Sequence, residues 1–587
     1  MTMFNKKLHI QLFTLGLLFS LCISGQEIHQ IQFDISMVPF SRYGSYLSFS
    51  TMGTDQNGLS KLNLFQQTGR QSEIPVFSIE TSRNGKIIPV KYTGTPIELI
   101  GKIENGAITC YFENEDIIHI LGTGTDVVLT GSFNTLNAVK MSGQYDSRKL
   151  LDELVVLTAR AGTGKAELTN KKGEFVFKPG SDGKLDIVVE LYKSDWLPKK
   201  YTDTYDRSIK LLKNELNTWS RQTPEVSTDF KDARNLASYI NWASVVKAEG
   251  NLQRYGMLMS KNWMINIWSW DNCFNAMSLS YGNPKLSWDQ LMIMFDLQDE
   301  TGAMPDCINS HHVVWSYKKP PIHGWTLSRL MEQYTLSPKQ MAEIYTKLSA
   351  WTNYWFIYRD EDGNGLPEYY HGNDSGWDNG TAFDSGFPAE GPDLSAFLVI
   401  QMDVLADLAK KLDKQSDAVS WKRRADETLQ KMIARFWNGD KFVTKKASTE
   451  EYTKESQSLM SYLPLLLGKR LPDNIRIKMI SDLKKPGYLI TNYGIATESP
   501  GSKLYVPDGY WRGPVWAPTT MIIVEGLKKC GEKELADKIA QNFCETCKIH
   551  GFAENFNALT GEPLRDPAYT WTTSVFLVLA HELYSKK

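Results

Sequence analysis

The sequence predicts a mainly α-helical protein that begins with an antiparallel β-sandwich, and three observations support this fold class. All 17 Trp lie at residue 196 or later, so the composition changes near residue 200. Between residues 26 and 200, short runs alternate apolar and polar residues, which is typical of sandwich strands. Beyond residue 205, apolar residues recur at three- and four-residue spacing, which is typical of amphipathic helices.

The most specific strand signal lies at Asn84-Gly85. An apolar run that ends at Ile79 precedes this dipeptide, and Ile87 and Ile88 follow it. An Asn-Gly pair between two apolar runs is typical of a β-hairpin. We expect further strands at 28–33, 46–49, 126–130 and 185–191, and we predict a β-sandwich domain over residues 26–200.

The helical domain is predicted over residues 201–587. Apolar residues from Leu394 to Leu412 follow helical spacing, and the run from Val575 to Tyr584 is apolar on most sides, as a buried helix is. About a dozen such segments occur, without a sequence repeat. This pattern is compatible with a closed toroid of paired helices and with an irregular helical domain.

Composition and charge exclude several classes of function. The 587 residues include 65 basic and 67 acidic side chains, which gives a formal net charge of −2. A dedicated nucleic-acid binder needs a basic face, so we expect no nucleic-acid partner. No integral membrane span is expected either. The 17 Trp and 26 Tyr suit a cleft lined for sugars, and they suit a large aromatic core equally well.

The N-terminus resembles a secretory signal. Lys6 and Lys7 precede an apolar run over 10–23 and the small residues Ser24-Gly25, which is the pattern of a signal peptide over residues 1–25. We therefore expect an exported protein, periplasmic or secreted. A lipoprotein at Cys22 is less favoured, because Leu21 stands where such signals carry a small residue.

Six cysteines lie beyond this predicted signal, and they are scattered too widely for a disulfide framework. Cys544 and Cys547 form a CxxC pair on a probable helix, and no second pair at zinc-finger spacing follows. We interpret this pair as two small apolar residues on one helix face.

Carboxylates or Trp, often both, recur in five loops of the helical region. These loops lie at 268–272, 302–306, 366–379, 510–516 and 552–563. Cleavage of a glycosidic bond needs one carboxylic acid to protonate the leaving oxygen and one carboxylate on the opposite side. An apolar ring beside a carboxyl helps to keep it protonated. The recurrence of this combination predicts a sugar-processing site.

Four of these motifs resemble glycoside hydrolase family 63, which includes processing α-glucosidase I and bacterial α-glycosidases. The motifs are Trp270-Asp271-Asn272, Ser375-Gly376-Trp377-Asp378, Gly513-Pro514-Val515-Trp516 and Glu554-Asn555-Phe556-Asn557. Family 37 trehalases are similar at the same places. The resemblance covers residues 205–587, and it implies an (α/α)6 barrel, an N-terminal β-domain and an inverting mechanism.

The resemblance also implies roles for individual residues. Asp378 resembles the general acid and Glu554 the general base of the family. Contacts with the substrate are implied for Trp270, Asp271, Trp377 and Trp516, and by likeness to trehalases for Asp374 and Glu562. They are implied more weakly for Trp268, His323 and Arg512. The chain departs from trehalases after Glu554, where Asn-Phe replaces Lys-Tyr, and it lacks their glycine-rich stretch before Glu562. These departures argue against trehalose as the substrate.

The segment from Asp360 to Leu366 carries oxygen donors at alternate positions, with glycines between them. This spacing is typical of calcium loops, and some bacterial family 63 members hold calcium near the barrel. The predicted ligands are the side chains of Asp360, Asp362 and Asn364 and the carbonyl of Leu366. The alternative is a polar, glycine-rich turn, and no organic cofactor is expected.

These observations predict an inverting, exo-acting α-glycosidase, with short α-linked gluco-oligosaccharides as the expected substrates of an α-glucosidase. The alternatives are a trehalase-like enzyme, an α-mannosyl- or galactosyl-specific hydrolase, and a sugar-binding protein that has lost catalysis. A phosphorylase is less favoured, because such enzymes lack the base that Glu554 resembles.

Overall fold

The computed structural model describes residues 27–51, 61–68, 75–132, 135–137, 144–148, 154–169, 172–193, 196–197 and 200–585. The predicted signal peptide over residues 1–25 therefore lies outside the described residues. Within the described ranges, no helix is both long and apolar enough to cross a membrane.

The N-terminal region is built from strands. In chain order they are β1 (Phe40–Ser41), β2 (Leu47–Ser50), β3 (Leu62–Gln66), β4 (Phe77–Arg83), β5 (Lys86–Ile88), β6 (Lys91–Gly94), β7 (Leu99–Ile103), β8 (Gly106–Phe112), β9 (Ile117–Thr123), β10 (Asp126–Ser132), β11 (Thr135–Asn137), β12 (Gln144–Arg148), β13 (Leu154–Ala161), β14 (Thr163–Thr169), β15 (Lys172–Lys178) and β16 (Lys184–Tyr192).

These strands form two antiparallel sheets of eight strands each. One sheet has the order β1-β2-β3-β4-β10-β15-β14, with β5 paired to β4, and the other has the order β11-β12-β13-β16-β9-β8-β7-β6. Phe40 and Phe49 of the first sheet pack on Phe112 of the second, with ring centroids 5.5 and 6.3 Å apart. The two sheets therefore share an aromatic core, as the layers of a sandwich do.

The hairpin predicted at Asn84-Gly85 is confirmed. β4 and β5 pair in antiparallel register, with Arg83 opposite Lys86. Asn84 and Gly85 have φ angles of 52° and 76°, which is the conformation that a two-residue type I′ turn requires. The turn chemistry of this dipeptide therefore sets the register of the two strands.

The C-terminal region is built from helices. In chain order they are α1 (Tyr205–Gln222), α2 (Lys231–Ser244), α3 (Asp271–Leu279), α4 (Pro284–Met292), α5 (His323–Gln333), α6 (Pro338–Tyr358), α7 (Gly372–Ser375), α8 (Pro392–Lys411), α9 (Gln415–Phe436), α10 (Asp473–Leu483), α11 (Ala517–Lys529), α12 (Lys533–His550) and α13 (Thr570–Tyr584).

The helices form two concentric rings. The inner ring runs through α3, α5, α8, the helical segment Leu459–Arg470, α11 and α13, and α13 closes the ring against α3. Six helices, α2, α4, α6, α9, α10 and α12, pack on the outside of this ring. The predicted (α/α)6 barrel behind an antiparallel β-domain is therefore confirmed.

Burial follows the position of a helix in the barrel. The inner helix α13 is buried continuously from Thr570 to Ala580, in agreement with the apolar run predicted there. The outer helix α12 buries one face, which includes Cys544 and Cys547. The two thiols form no disulfide and pack as small apolar side chains, as predicted.

The strand predicted at residues 28–33 is wrong. Ile28–Gln30 forms a short 3-10 helix, and Phe33 makes a single bridge with Gly94. The ring of Phe33 stacks on Tyr239 of α2, with centroids 4.6 Å apart. The apolar residues of this segment therefore pack toward the helical region, and their alternation does not reflect a sheet.

Candidate active site

The loop that carries the predicted acid turns sharply at Gly376. This residue ends α7 with a φ of 72°, and a Cβ at this position would lie 2.6 Å from the ring of Trp270. The turn directs the chain into Trp377 and Asp378. The Asp378 side chain is 28% exposed, so its carboxyl is open to solvent.

Asp374 anchors the start of this loop. Its Oδ1 accepts a hydrogen bond from the Lys318 amide at 2.7 Å. Its Oδ2 accepts from Arg359 Nη1 at 3.0 Å and from the amides of Tyr370 and His371 at 2.8 and 3.1 Å. Four protein donors thus occupy the carboxylate. Its role in the structure is to hold the acid loop, and its contact with substrate stays a prediction.

Lys319 is a buried cation that the sequence analysis missed. Its Nζ donates to the Asn373 carbonyl at 2.8 Å and lies 3.4 Å from Asp306 and 3.9 Å from Asp378. Burial by itself would lower the pKa of Lys319, but the charges of Asp306, Asp378 and Asp271 outweigh it and raise that pKa. No Trp or carboxylate stands next to this lysine in the sequence, so it carried none of the signals used to select candidates.

The predicted base, Glu554, is buried behind a short strand pair. It directly precedes Asn555–Phe556, which pairs with Val515–Trp516. Tyr510 donates its hydroxyl hydrogen to Glu554 Oε1 at 3.1 Å. Burial, with help from the charge of Asp566, raises the pKa of Glu554 to about 8, although the hydrogen bond from Tyr510 acts in the opposite direction.

Tyr510 interacts electrostatically with three carboxyl groups. Burial raises the pKa of Tyr510, and the nearby charges of Glu554, Asp378 and Asp271 raise it further. Asp271 is itself buried, and burial raises its pKa to about 8. The fold therefore brings together the motifs that contain the predicted acid, the predicted base and Asp271.

A wall of tryptophan rings flanks these carboxyl groups. Trp511 stacks on Trp516, with centroids 3.9 Å apart and planes at 8°. Trp377 and Trp270 contact Trp511 at 5.0 and 6.1 Å, and Trp571 meets Trp516 edge-on at 5.4 Å. Flat rings beside hydrogen-bonding carboxyls suit a sugar, which has apolar C–H faces and polar hydroxyls. Trp571 was not among the sequence candidates, because no carboxylate adjoins it.

Arg512 and Trp268 lie in elements that border this cluster. Arg512 makes a bidentate ion pair with Asp384 at 2.8 and 2.7 Å and lies 3.5 Å from the Asn379 carbonyl. It thereby connects the 510–516 loop with the residue that follows the predicted acid. Trp268 is half-buried in a two-residue strand opposite Cys307.

His323 and Glu562 make contacts away from the carboxyl cluster. His323 is buried between Phe295 and Trp351, with centroids 5.3 and 6.3 Å away, and burial lowers its pKa to about 3. Glu562 is exposed and accepts a hydrogen bond from Thr560 Oγ1 at 3.2 Å. The substrate contacts expected of these two residues stay predictions.

The predicted calcium loop is closed by its own hydrogen bonds. Asp360 accepts from the Gly365 amide at 3.0 Å, and Asn364 Oδ1 accepts from the Leu366 amide at 2.8 Å. Among the described residues, no three His, Cys, Asp or Glu side chains are placed to hold a metal ion. The donor atoms are nevertheless all oxygens, as calcium prefers.

Glu368 adds one observation that fits a cation at this loop. Its Oε2 is buried without a hydrogen-bond partner in the described part of the chain. Burial and the charges of Asp362, Glu390, Glu361 and Asp360 raise the pKa of Glu368 to about 7. A cation among these acids would relieve their repulsion. The donor atoms therefore fit calcium in kind, although the described carboxylates are not grouped around one position.

The barrel and its cluster of carboxyl groups and tryptophans define the class of the protein as a glycoside hydrolase. The family described as "Mannosylglycerate hydrolase MGH1-like glycoside hydrolase domain" matches residues 264–572. The chain belongs to this family and thereby to glycoside hydrolase family 63, as the sequence resemblance predicted.

Two curated relatives illustrate the family. The mannosylglycerate hydrolase of Rubrobacter radiotolerans is 21% identical over 398 residues, which cover 53% of this chain and 89% of the relative. The glucosylglycerate hydrolase of Mycolicibacterium hassiacum is 22% identical over 412 residues, which cover 53% of this chain and 91% of the relative. These relatives therefore have no counterpart for nearly half of this chain.

Solved structures share the fold. The family 63 mannosylglycerate hydrolase of Thermus thermophilus, in complex with glucose, superposes with a TM-score of 0.51 and 17% identity over 60% of this chain and 100% of its own. A bacterial glucoamylase in complex with acarbose gives a TM-score of 0.62 and 12% identity over 97% of this chain and 96% of its own. The likeness to the glucoamylase extends over the β-domain as well as the barrel.

Proposed function

We propose that this glycoside hydrolase is an inverting, exo-acting α-glycosidase in which Asp378 is the general acid and Glu554 the general base. The observation that carries the proposal is that both carboxyl groups act on Tyr510 from unlike environments: Glu554 accepts its hydroxyl hydrogen at 3.1 Å, and the charge of Asp378 raises the pKa of Tyr510. Asp378 is partly exposed, whereas Glu554 is 3% exposed. An inverting mechanism needs two carboxyl groups about 6.5–9.5 Å apart, with room for one water between the base and the sugar.

In this mechanism, Asp378 donates its proton to the glycosidic oxygen as the bond to C1 breaks. Glu554 accepts a proton from the water that attacks C1 from the opposite face. Tyr510 donates to Glu554 Oε1 and so favours the ionised form that a base needs. After the reaction Asp378 is ionised and Glu554 is protonated, and the two exchange protons with solvent before the next turnover.

The remaining residues suit the sugar that is bound at the cleavage point. Asp271 is buried beside the cluster, so its carboxyl can form a hydrogen bond with a sugar hydroxyl. Trp270 and Trp516 are 2% and 0% exposed, so we assign them to the apolar wall behind the sugar. Lys319 places a positive charge 3.4 Å from Asp306 and 3.9 Å from Asp378.

The first proposed substrates are short α-linked gluco-oligosaccharides, as in an α-glucosidase. A second candidate is an α-glycoside of a small organic acid, because the curated relatives are hydrolases of mannosylglycerate and glucosylglycerate. One feature of the site favours this candidate. The Arg565 guanidinium lies 5.5 Å from the centroid of the Tyr510 ring; it is paired with Asp508 at 2.7 Å, and a substrate carboxylate would compete with Asp508 for it.

Release of monosaccharide from a panel of α-glycosides tests these proposals. The panel contains maltose, isomaltose, kojibiose, nigerose, trehalose, α-glucosylglycerate, α-mannosylglycerate and a galactosyl disaccharide. Glucose release from a gluco-disaccharide supports the first candidate, and preference for either glycerate supports the second. A β-anomer as the first product, detected by proton NMR, supports inversion, whereas an α-anomer contradicts it. Binding without turnover across the whole panel would favour the sugar-binding alternative.

Two further proposals concern the location of the protein and its metal. We propose that the chain is exported and cleaved near Gly25, which N-terminal sequencing of the mature protein tests. We also propose that calcium binds at Asp360, Asp362, Asn364 and the Leu366 carbonyl, with Glu368 as the further carboxylate. The unpartnered, buried Glu368 oxygen supports this ligand. Calcium there would brace the loop and take no part in the proton transfers.

A further inference from the structure

The β-domain reaches the barrel at a turn that includes Lys261. The side chain of Lys261 is buried, and its Nζ donates to Ser41 Oγ at 3.0 Å and to the Ser45 carbonyl at 2.5 Å. The Lys261 carbonyl in turn accepts from Gln67 Nε2 at 2.8 Å. Residues 41, 45 and 67 all belong to the β-domain. Three hydrogen bonds with the sandwich therefore hold this turn of the helical region.

The neighbouring residue, Asn262, extends this contact into the barrel. Its Nδ2 donates to the Met37 carbonyl of the β-domain at 3.2 Å and to Asp566 Oδ1 at 3.0 Å. Asp566 is fully buried, and its Oδ1 also accepts from the Ala568 amide at 3.1 Å. One amide group therefore joins the β-domain to a buried carboxyl of the barrel.

The segment that begins at Asp566 supports Glu554, directly before the strand Asn555–Phe556. The Glu554 amide donates to the Asp566 carbonyl at 2.7 Å, and Trp571 Nε1 donates to the Glu554 carbonyl at 3.2 Å. The two residues before Glu554 are held by the same segment. The Tyr569 amide donates to the Phe552 carbonyl at 2.8 Å, and Thr572 Oγ1 donates to the Ala553 carbonyl at 2.7 Å. Both backbone polar groups of Glu554 are thus fixed by the 566–572 segment.

We propose that Asp566 is a positioning residue for Glu554 and that the β-domain fixes Asp566 through Asn262. The proposal rests on the proposed function of Glu554 as the base. It gives the β-domain a part in the reaction that the barrel alone does not supply. A base must hold its water within hydrogen-bond reach of C1, and small displacements of such a group cost rate.

The electrostatics of Glu554 give the proposal a signature other than activity. Glu554 interacts with Asp566, with the Tyr510 hydroxyl and with Arg565, and the charge of ionised Asp566 raises the pKa of Glu554. Burial also raises the pKa of Asp566 itself, although hydrogen bonds to its carboxylate act in the opposite direction, so the signature is measured above the pH at which Asp566 ionises. Loss of that charge should lower this pKa. Because a base works in its ionised form, the acidic limb of the kcat/KM profile should then move to lower pH.

Two substitutions of Asp566 separate charge from hydrogen bonding in the full-length protein. Asp566→Asn keeps an oxygen that accepts from Asn262 and from the Ala568 amide, so we expect kcat within about fivefold of the parent and an acidic limb shifted down by roughly half a pH unit or more. Asp566→Ala removes the acceptor, and we expect a loss of about 10²-fold in kcat with little change in KM.

The contribution of the β-domain is tested by Asn262→Ala, with Lys247→Met as a matched control. Lys247 also joins the two domains, because its Nζ donates to Asp116 of the β-domain at 2.6 and 2.5 Å, but its contacts do not lead to Asp566. We expect Asn262→Ala to lower kcat about tenfold at unchanged KM. Lys247→Met should lower the melting temperature only and leave kcat and the pH profile unchanged.

The outcomes distinguish this inference from the proposed function. If Glu554→Gln is inactive while Asp566→Asn, Asp566→Ala and Asn262→Ala keep the parental kcat and acidic limb, the inference is wrong and the base assignment stands. An active Glu554→Gln would overturn the base assignment itself. A matching kinetic change in Lys247→Met would also overturn the inference, because the effect would then reflect domain docking in general.

Discussion

The loop of the predicted acid and the segment of the predicted base are built in opposite ways. The acid loop is held from inside the barrel, where Asp374 accepts from Arg359 and from three amides, and its Asp378 is open to solvent. The base segment is buried, and Glu554 is held by Tyr510 and by a segment that the β-domain supports. The predicted acid is thus 28% exposed, and the predicted base is 3% exposed and held by hydrogen bonds on its backbone and its side chain.

This difference also predicts how the loss of each carboxyl group affects the reaction. Loss of the acid removes a proton donor, which a substrate with a good leaving group does not need. Loss of the base removes the activation of water, which every substrate needs. The two sides of the site are therefore distinguishable by chemistry, and the predictions below run from the largest expected effect to the smallest.

The largest effect should come from Asp378→Asn and Glu554→Gln on a disaccharide and on the matching α-glycosyl fluoride. Each should lose about 10²–10⁴-fold on the disaccharide, the usual range for general acid or base catalysis. On the fluoride, Asp378→Asn should recover most of its rate, because fluoride leaves without a proton, whereas Glu554→Gln should not. Initial rates of fluoride release from the glycosyl fluoride measure this difference between the two variants. The reverse pattern would exchange the two roles.

The anchoring of the acid loop should show in stability. Arg359 and Asp374 form a buried ion pair at 3.0 Å with side chains 10% and 1% exposed. Arg359→Met leaves the Asp374 charge uncompensated, and we expect a loss of about 3–5 kcal/mol in the free energy of unfolding. Denaturant titration measures it. Asp384→Asn, at the more exposed pair with Arg512, is the control, with about 0–1 kcal/mol expected; equal losses would contradict this view of the acid loop.

Calcium should stabilise the acid side of the site and leave the base side unaffected. At a free concentration one hundred times its dissociation constant, one bound ion adds about 2.7 kcal/mol to the free energy of unfolding. Chelation should therefore lower the melting temperature of the parent, and Glu368→Gln should reduce this response. Calorimetry with and without calcium measures both. A melting temperature that does not respond to chelation would mean that the 360–366 segment is a polar turn.

The smallest effect concerns the pH dependence of the base. With a pKa of about 8 for Glu554, kcat/KM should rise with pH as this carboxyl ionises near pH 8. Tyr510→Phe removes a hydrogen bond to the ionised form of Glu554, so the acidic limb of the kcat/KM profile should move to higher pH. A hydrogen bond that contributes roughly 1.4 kcal/mol corresponds to a shift of about one pH unit. Tyr505→Phe is the control, because within the described residues the buried Tyr505 hydroxyl has no hydrogen-bond partner. An unmoved limb in Tyr510→Phe would separate Tyr510 from the base.

The sequence was sufficient for the features that short local patterns carry. The Asn84-Gly85 turn follows from the backbone preferences of two residues, and the helix periodicity from burial of one face. Asp378 and Glu554 were selected because each lies in a short, continuous motif that resembles family 63. The strand at 28–33 failed because its apolar residues pack on α2, and the alternation does not reveal the packing partner.

The contacts that hold the site residues in place could not be predicted, because they join residues that are distant in the chain. Asn262 and Asp566 are 304 residues apart in the chain. Lys319 adjoins another lysine and two prolines in the sequence, and it gains its setting only when the acid loop folds over it. Positions of this kind have no local composition that distinguishes them from an ordinary surface or core residue.

The cysteines bear on how an exported chain would mature. Cys110, Cys273, Cys544 and Cys547 are buried and form no disulfide, and burial raises the pKa of each thiol. Protonated thiols without solvent access react slowly with oxidants, so the folded protein can persist in an oxidising compartment in its reduced form. The same thiols are exposed while the chain is unfolded. Folding must therefore outpace oxidation, and recovery of the denatured protein should depend on added reductant even though the native state needs none.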